Sequence, residues 1–437
     1  MSNARSLNYI RQIKGSFIFK ALAVIATFLS LPLMIKYLGN EMFGVWATML
    51  TLISWVMLFD LGIGNGLRNK IAESLAKGDL TGAKEYISTA YIGVGFISVM
   101  LLLFIYVVSY VVNWQAIFNT TIVSENTLRS SILYLSFFIC FNFWLSLVCQ
   151  IYHGLQRSSV VVFGQFTSNT LALLFIYVLF YYTESSILYL VVSYGIALVL
   201  SNLILSLFLF FTYRHISPSL LKPKINKLKP LMNLGIQFFI IQIAVLVMFM
   251  TDKMVITQVF GPAQVASYEV VYKLFSVFTI IHILILTPLW PAYNEAYHKK
   301  EFDWIRRNVV RQLYFFVCLS LLVTVVAYFS HSIIKVWVGD SVIIPSYLVP
   351  MFLILTVIMM WNNVFGYFIG AIGKLKLGVF ITSLSAIFNI PLSLYLARTE
   401  FGVSGIVLAT CLSILLSSVI SPLQYLFYVK QGLYDEK

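Results

Sequence analysis

The sequence predicts an all-α membrane protein of about twelve transmembrane helices, built as two six-helix bundles that repeat in parallel, with both termini cytoplasmic. Three observations predict it. The 437-residue chain is 60% hydrophobic and only 10% charged, with a mean hydropathy of +0.92, so it lacks the polar surface a water-soluble chain of this size needs. Its apolar runs are each long enough to cross a bilayer and alternate with short polar loops at about one span per 36 residues. Finally, the two halves align with each other at a constant offset.

Runs of 18 or more mostly apolar residues place spans near 15–37, 43–64, 87–112, 130–152, 160–183, 187–213, 231–254, 264–290, 309–330, 345–368, 377–397 and 402–428. The first run follows a basic start and is too long for a signal peptide, so it reads as a retained span. With the N-terminus inside, inner segments hold 22 of the 29 Lys and Arg, outer ends and loops hold five, and Lys20 and Lys273 fall within spans. This bias orients the chain and also accounts for the net charge of +13, so nucleic acid is not an expected partner.

The residues from Arg214 to Pro230 carry Lys222, Lys224, Lys227 and Lys229 among prolines and fall near mid-chain, which reads as a basic cytoplasmic linker (214–230) between an N-terminal lobe (1–213) and a C-terminal lobe (231–437). At an offset of 222, Leu38-Gly39 falls on Phe260-Gly261, Gly44 on Ala266, Trp46 on Tyr268, Glu73 on Glu295, Lys77 on Lys299, Asp79 on Glu301 and Lys84 on Arg306. Six spans per half is an even number, so both halves enter from the same side and are related by an axis along the membrane normal.

A charge inside a span costs roughly 2.5–3.5 kcal/mol, so Lys20 and Lys273 need a compensating role. Lys20 lies close enough to the inner end of its span to snorkel, whereas Lys273 is deeper and reads as a cavity residue. Glu269 and Lys273 stand at i and i+4, an arrangement that predicts either an internal ion pair or a site where an anion takes Lys273 while Glu269 takes a proton or sodium ion. Asp252-Lys253 closes span seven as a cap, an interfacial pair or a transport element. Asp60 opens Asp60-Leu61-Gly62-Ile63-Gly64-Asn65-Gly66, whose glycines predict close packing or a helix break, since no βαβ context supports a nucleotide loop. Pro288 and Pro291 bend or end span eight, as a gating hinge or a plain terminus. His282, opposite Asp60 in the repeat, reads as structural.

Cys140, Cys149, Cys318 and Cys411 lie in apolar runs without metal-ligand spacing, and no nucleotide or other cofactor motif is present, so neither metal nor cofactor is expected. A membrane polymerase or transferase would need a sizeable outer loop for its acceptor site. The longest here, Asn113 to Arg129, is seventeen residues with one acid, Glu125.

Two stretches carry a family resemblance. Tyr37-Leu38-Gly39-Asn40-Glu41-Met42-Phe43-Gly44-Val45-Trp46 leads into the Asp60 segment, and Asp252-Lys253-Met254-Val255-Ile256 leads, after Gly261, into Tyr268-Glu269 and Tyr272-Lys273. With the span number and spacing, these resemble the bacterial lipid-linked oligosaccharide flippases, the O-antigen and polysaccharide exporter family, whose fold is similar to that of the multidrug and toxic compound extruders. The resemblance implies a non-enzymatic carrier in the bacterial inner membrane that moves a polyprenyl-diphosphate oligosaccharide from the cytoplasmic to the periplasmic leaflet by alternating access. Membrane lipids and polysaccharide polymerase machinery are its implied partners, and the coupling ion is a proton or sodium. It also implies that Lys20, Lys273 and Lys253 bind the diphosphate and that Glu269, Asp60 and Asp252 handle the coupling ion. A cation-coupled multidrug exporter of the same fold is the alternative.

Overall fold

A computed structural model describes residues 2–60, 62–219, 224–232, 243 and 250–434. Among them no strand occurs. The helices run α1 (Ser2–Ser54), a 3-10 turn (Trp55–Asp60), α2 (Ile63–Ala76), α3 (Leu80–Val111), α4 (Trp114–Phe118), α5 (Glu125–Leu145), α6 (Leu147–Gly154), α7 (Ser158–Tyr182), α8 (Ile187–Thr212) and α9 (Leu228–Met232). They continue with α10 (Asp252–Phe260), α11 (Ala263–Leu286), α12 (Leu289–His298), α13 (Phe302–Tyr328), α14 (Ser330–Val338), α15 (Leu348–Ala371), α16 (Lys376–Ala397) and α17 (Val403–Tyr434).

Ten helical stretches among the described residues are long and apolar enough to cross a membrane. One of them, Lys14–Ser54, is two helices joined at Gly39, whose φ of 75° and ψ of 167° is a backbone conformation open essentially to glycine alone. It therefore covers the first two expected spans. The expected span 231–254 lies for most of its length outside the described residues, as do 220–223 of the expected linker.

The second expected span needs correction. Its helix ends at Ser54 rather than near residue 64: Trp55–Asp60 tightens into a 3-10 turn and Gly62, at φ 79°, turns the chain into the short α2. Gly66 on α2 allows a second feature, since a Cβ there would lie 2.1 Å from the Leu231 carbonyl oxygen. The glycine-rich segment is thus a break followed by a close approach.

The repeat is visible in backbone detail. Gly39 and Gly261 have φ of 75° and 86°, and Gly78 and Lys300, also 222 apart, have 71° and 61°. Asp79 and Glu301 occupy the residue before α3 and α13, and the pairs Glu73–Lys77 and Glu295–Lys299 close at 2.7 and 2.5 Å.

The described residues form two units. The first comprises those up to 232 with Gly261–Ala263, and the second comprises the rest. In the first, α1 packs along α7, α8 packs on α5 and α7, and α3 packs on α5. In the second, α17 packs on α15 and α16, and a cluster of Tyr293, Phe302, Ile305, Phe365, Phe368 and Tyr425 joins α12, α13, α15 and α17. Buried hydroxyls such as Ser30, Thr51 and Ser206 donate to the carbonyl four residues back, the partner available where water is absent. Large apolar side chains such as Val111, Phe208 and Leu321 stand exposed, as a lipid-solvated surface requires.

Candidate functional site

A group of four charges within helices lies in the second unit, at α10 and the first turns of α11. Gly261 and Pro262 turn the chain between these helices, so residues about equally distant from the turn meet. Tyr268 Oη donates to Asp252 Oδ2 at 2.8 Å, and the Lys253 ammonium pairs with Glu269. Asp252 is 1% exposed and Glu269 5%. Asp252 Oδ1 receives no hydrogen bond among the described residues.

Of the two arrangements expected for Glu269 and Lys273, the internal ion pair is not the one found, since Glu269 pairs with Lys253. Lys273, one turn along α11, feels the attraction of Glu269 and the repulsion of Lys253, but it forms no ion pair among the described residues. The i, i+4 spacing allowed the first pairing, while the helix hairpin brings a lysine from the opposite strand of the turn into direct contact. Spacing about Gly261-Pro262 was the available signal, since Asp252 and Tyr268 flank it at similar distance.

Aromatic rings wall the group. Tyr268 and Tyr272 stack with centroids 6.2 Å apart, and Phe352 of α15 meets Tyr268 edge-on at 5.2 Å. With both acids ionised, Asp252, Lys253, Glu269 and Lys273 sum to zero charge. One proton or cation on a carboxylate leaves the group net positive, and so does the withdrawal of either acid toward a cation.

The other expected residues lie on other elements of the chain. In the first unit Lys20 Nζ donates to Gln165 Oε1 at 2.9 Å across the α1–α7 seam, with Asn169 bonded to Thr27 Oγ1 and to the Ala23 carbonyl one turn along. Asp60 accepts from the Gly64 N–H on both oxygens, at 2.9 and 3.1 Å, and so caps α2. In the second unit Pro288 precedes α12 with φ −66° and ψ −23°, and Pro291 lies in the first turn of α12, where a missing N–H costs little. His282 is fully buried beside Phe315. Among the described residues no group of three or more His, Cys, Asp or Glu is arranged to hold a metal ion.

Over most of its length the chain is similar to a provisionally named O-antigen export protein of Yersinia pseudotuberculosis, at 22% identity over 82% of both chains. It is also 24% identical to a provisionally named O-antigen transporter of Salmonella typhimurium, over 92% of this chain and 93% of that one. Among solved structures, a multidrug resistance MATE family transporter of the MOP superfamily superposes with a TM-score of 0.77 at 12% identity, over 96% of this chain and 99% of that one. A MATE structure in complex with MaD3S gives 0.69 at 11% identity, over 97% of each chain. The fold is accordingly that of the MATE transporters, and the chain is a multi-pass protein of the bacterial inner membrane. Residues 238–395 match the MatE family, and residues 14–296, more than half of the chain, match the family described as Polysaccharide biosynthesis protein, to which this chain belongs.

Proposed function

We propose that this chain is a flippase that carries a polyprenyl-diphosphate-linked oligosaccharide, an O-antigen or related surface-polysaccharide unit, from the cytoplasmic to the periplasmic leaflet by alternating access, without enzymatic turnover. Its similarity to proteins named for O-antigen export and its family membership support the cargo class. The observation that carries the reading is the group on α10 and α11, in which two lysines stand beside two buried acids and one lysine, Lys273, is left without an ion pair among the described residues.

In this mechanism Lys273 and Lys253 hold the diphosphate oxygens as point charges, and Lys20 offers a third cation on α1. When the diphosphate draws Lys253 away, Glu269 loses its partner. A buried, unpaired carboxylate is costly, so proton or sodium binding at Glu269 or Asp252 is linked to anion binding and release. Asp60 belongs to the same ion-coupling set, and Pro288 with Pro291 forms the gating bend between α11 and α12. Tyr272, which is exposed, offers a ring face to the sugar. Moving two negative charges outward across an inside-negative membrane yields about 4.6 kcal/mol per 100 mV, which is a sufficient driving contribution without ATP.

The test is leaflet transfer of a short-chain lipid-diphosphate oligosaccharide by the purified protein in liposomes, with and without an inside-negative potential. Lys273→Ala and Lys253→Ala are expected to slow transfer at least about tenfold, one decade per lost charged contact of about 1.4 kcal/mol. Transfer at the parental rate by folded Lys273→Ala would overturn the assignment. Export of cationic drugs without any lipid transfer would replace it with the multidrug reading.

A further inference from the structure

A groove of about 800 Å³ runs along the first unit between α3, α5 and α8. Its walls are apolar, including Ile92, Val99, Leu102, Phe137, Phe141 and Leu203, and it is open along one side, with Val99 54% and Phe137 49% exposed. On α3 it extends from Ser88 to Leu102, about 21 Å at the helical rise. One leaflet of hydrocarbon is about 15 Å deep, so the groove has the reach of an acyl chain that starts at one interface.

The end at Ser88 is polar. There the basic connection is tied down: Ser219 N donates to Ser88 Oγ at 2.9 Å, and Lys224 N donates to Thr89 Oγ1 at 3.0 Å. Lys224 and Lys227 both pair with Glu85, at 2.7 and 2.6 Å, and Lys227 also lies over the Tyr86 ring at 4.3 Å. Two ammonium groups therefore share one carboxylate within a turn of the groove mouth, and the Lys224 side chain is 53% exposed. Lys70 also lies over the Tyr86 ring, at 6.0 Å, and pairs with Glu73 at 2.8 Å.

We infer that this groove is a binding site for one anionic phospholipid of the leaflet in which the basic connection lies, with an acyl chain along α3, α5 and α8 and the phosphate on Lys224 and Lys227. The two requirements of such a lipid, a leaflet-deep apolar slot and excess positive charge at its interfacial end, are met by adjoining residues of one unit. A phosphate there gives the lysine pair the second negative charge it lacks and fastens the connection onto α3. This site is distinct from the charged group on α10 and α11.

The experiment uses the full-length protein in nanodiscs of phosphatidylcholine doped with a diazirine-bearing phosphatidylglycerol, with adducts mapped by mass spectrometry. Adducts are expected to concentrate on residues 88–102 and 137–145. Replacing Lys224 and Lys227 by alanine should lower them by about fivefold per lysine, and Ser98→Trp, or Val99→Trp at the groove edge, should block them while labelling elsewhere persists. Glu85→Gln separates the roles: it frees both lysines, so labelling should hold or rise, whereas loss of labelling would mean the lysines act only by anchoring the chain and would refute the site. Equal labelling by a diazirine phosphatidylcholine, adducts spread evenly over the exposed helices, or displacement by polyprenyl phosphate in preference to phosphatidylglycerol would each also refute it. Labelling needs no transport, so a failed transfer assay with intact labelling bears on the flippase reading alone.

Discussion

Replacing Lys253 by methionine removes the direct partner of Glu269 and keeps most of the side-chain volume. Glu269 is 5% exposed, so its carboxylate cannot recover the lost interaction from water. A pair near 4 Å at an effective dielectric of about 20 attracts by about 4 kcal/mol, and truncating one partner of a buried pair costs about 3–5 kcal/mol. Lys273 attracts Glu269 without contacting it, so the lower part of that range, about 3 kcal/mol, is expected for Lys253→Met and about 1 kcal/mol for Lys273→Met. The measurement is reversible denaturant unfolding in mixed micelles, run as a double-mutant cycle with Glu269→Gln. Removing both charges leaves no orphaned ion, so the double variant should be more stable than Lys253→Met alone by about 1–3 kcal/mol. Additive losses, or equal losses for the two lysines, would refute the pairing of Glu269 with Lys253.

Two further outcomes follow from the backbone and the surface. Gly39→Ala forces a side chain into φ 75°, ψ 167°, and should cost about 1–3 kcal/mol in the same unfolding assay; an unchanged stability would mean that the α1 kink relaxes freely. Glu73 on α2 is held at a pKa of about 2, from an ordinary 4.5, by hydrogen bonds from Lys70 and Lys77 and then by their charges. Because its folded pKa is depressed, its contribution is complete above about 4.5 and is lost as pH falls through about 2. Carboxyl ¹³C titration, assigned with Glu73→Gln, should therefore show Glu73 still ionised at pH 4, and a midpoint at its ordinary value would contradict these ion pairs.

Much of the architecture was legible because transfer to lipid is a local property that adds along the chain. Each apolar run reports a span without reference to its neighbours, and the repeat at 222 reappears as positive φ at Gly39 and Gly261 and as paired glutamate–lysine turns in both halves. Hydropathy misplaced the end of the second span, because Trp55–Asp60 is apolar whether it continues a helix or tightens into a 3-10 turn. The Asp60 segment shows the same limit: its glycines announce a break, and only the tertiary structure shows the carboxylate capping α2 through Gly64.

By itself, then, the sequence determined the solvent of this protein, its all-helical fold, its internal repeat and the residues whose charge is costly in that solvent. The tertiary structure alone decided which charges meet. Glu269 has Lys273 on its own helix face and Lys253 across the Gly261 turn, and the pairing goes to Lys253 because the turn between α10 and α11 brings that lysine into contact. Likewise Lys224 and Lys227, read along the chain as part of a basic linker, converge on Glu85 of α3 beside an apolar groove. Ionic contacts fall off with separation in space, and separation along the chain carries little information about it.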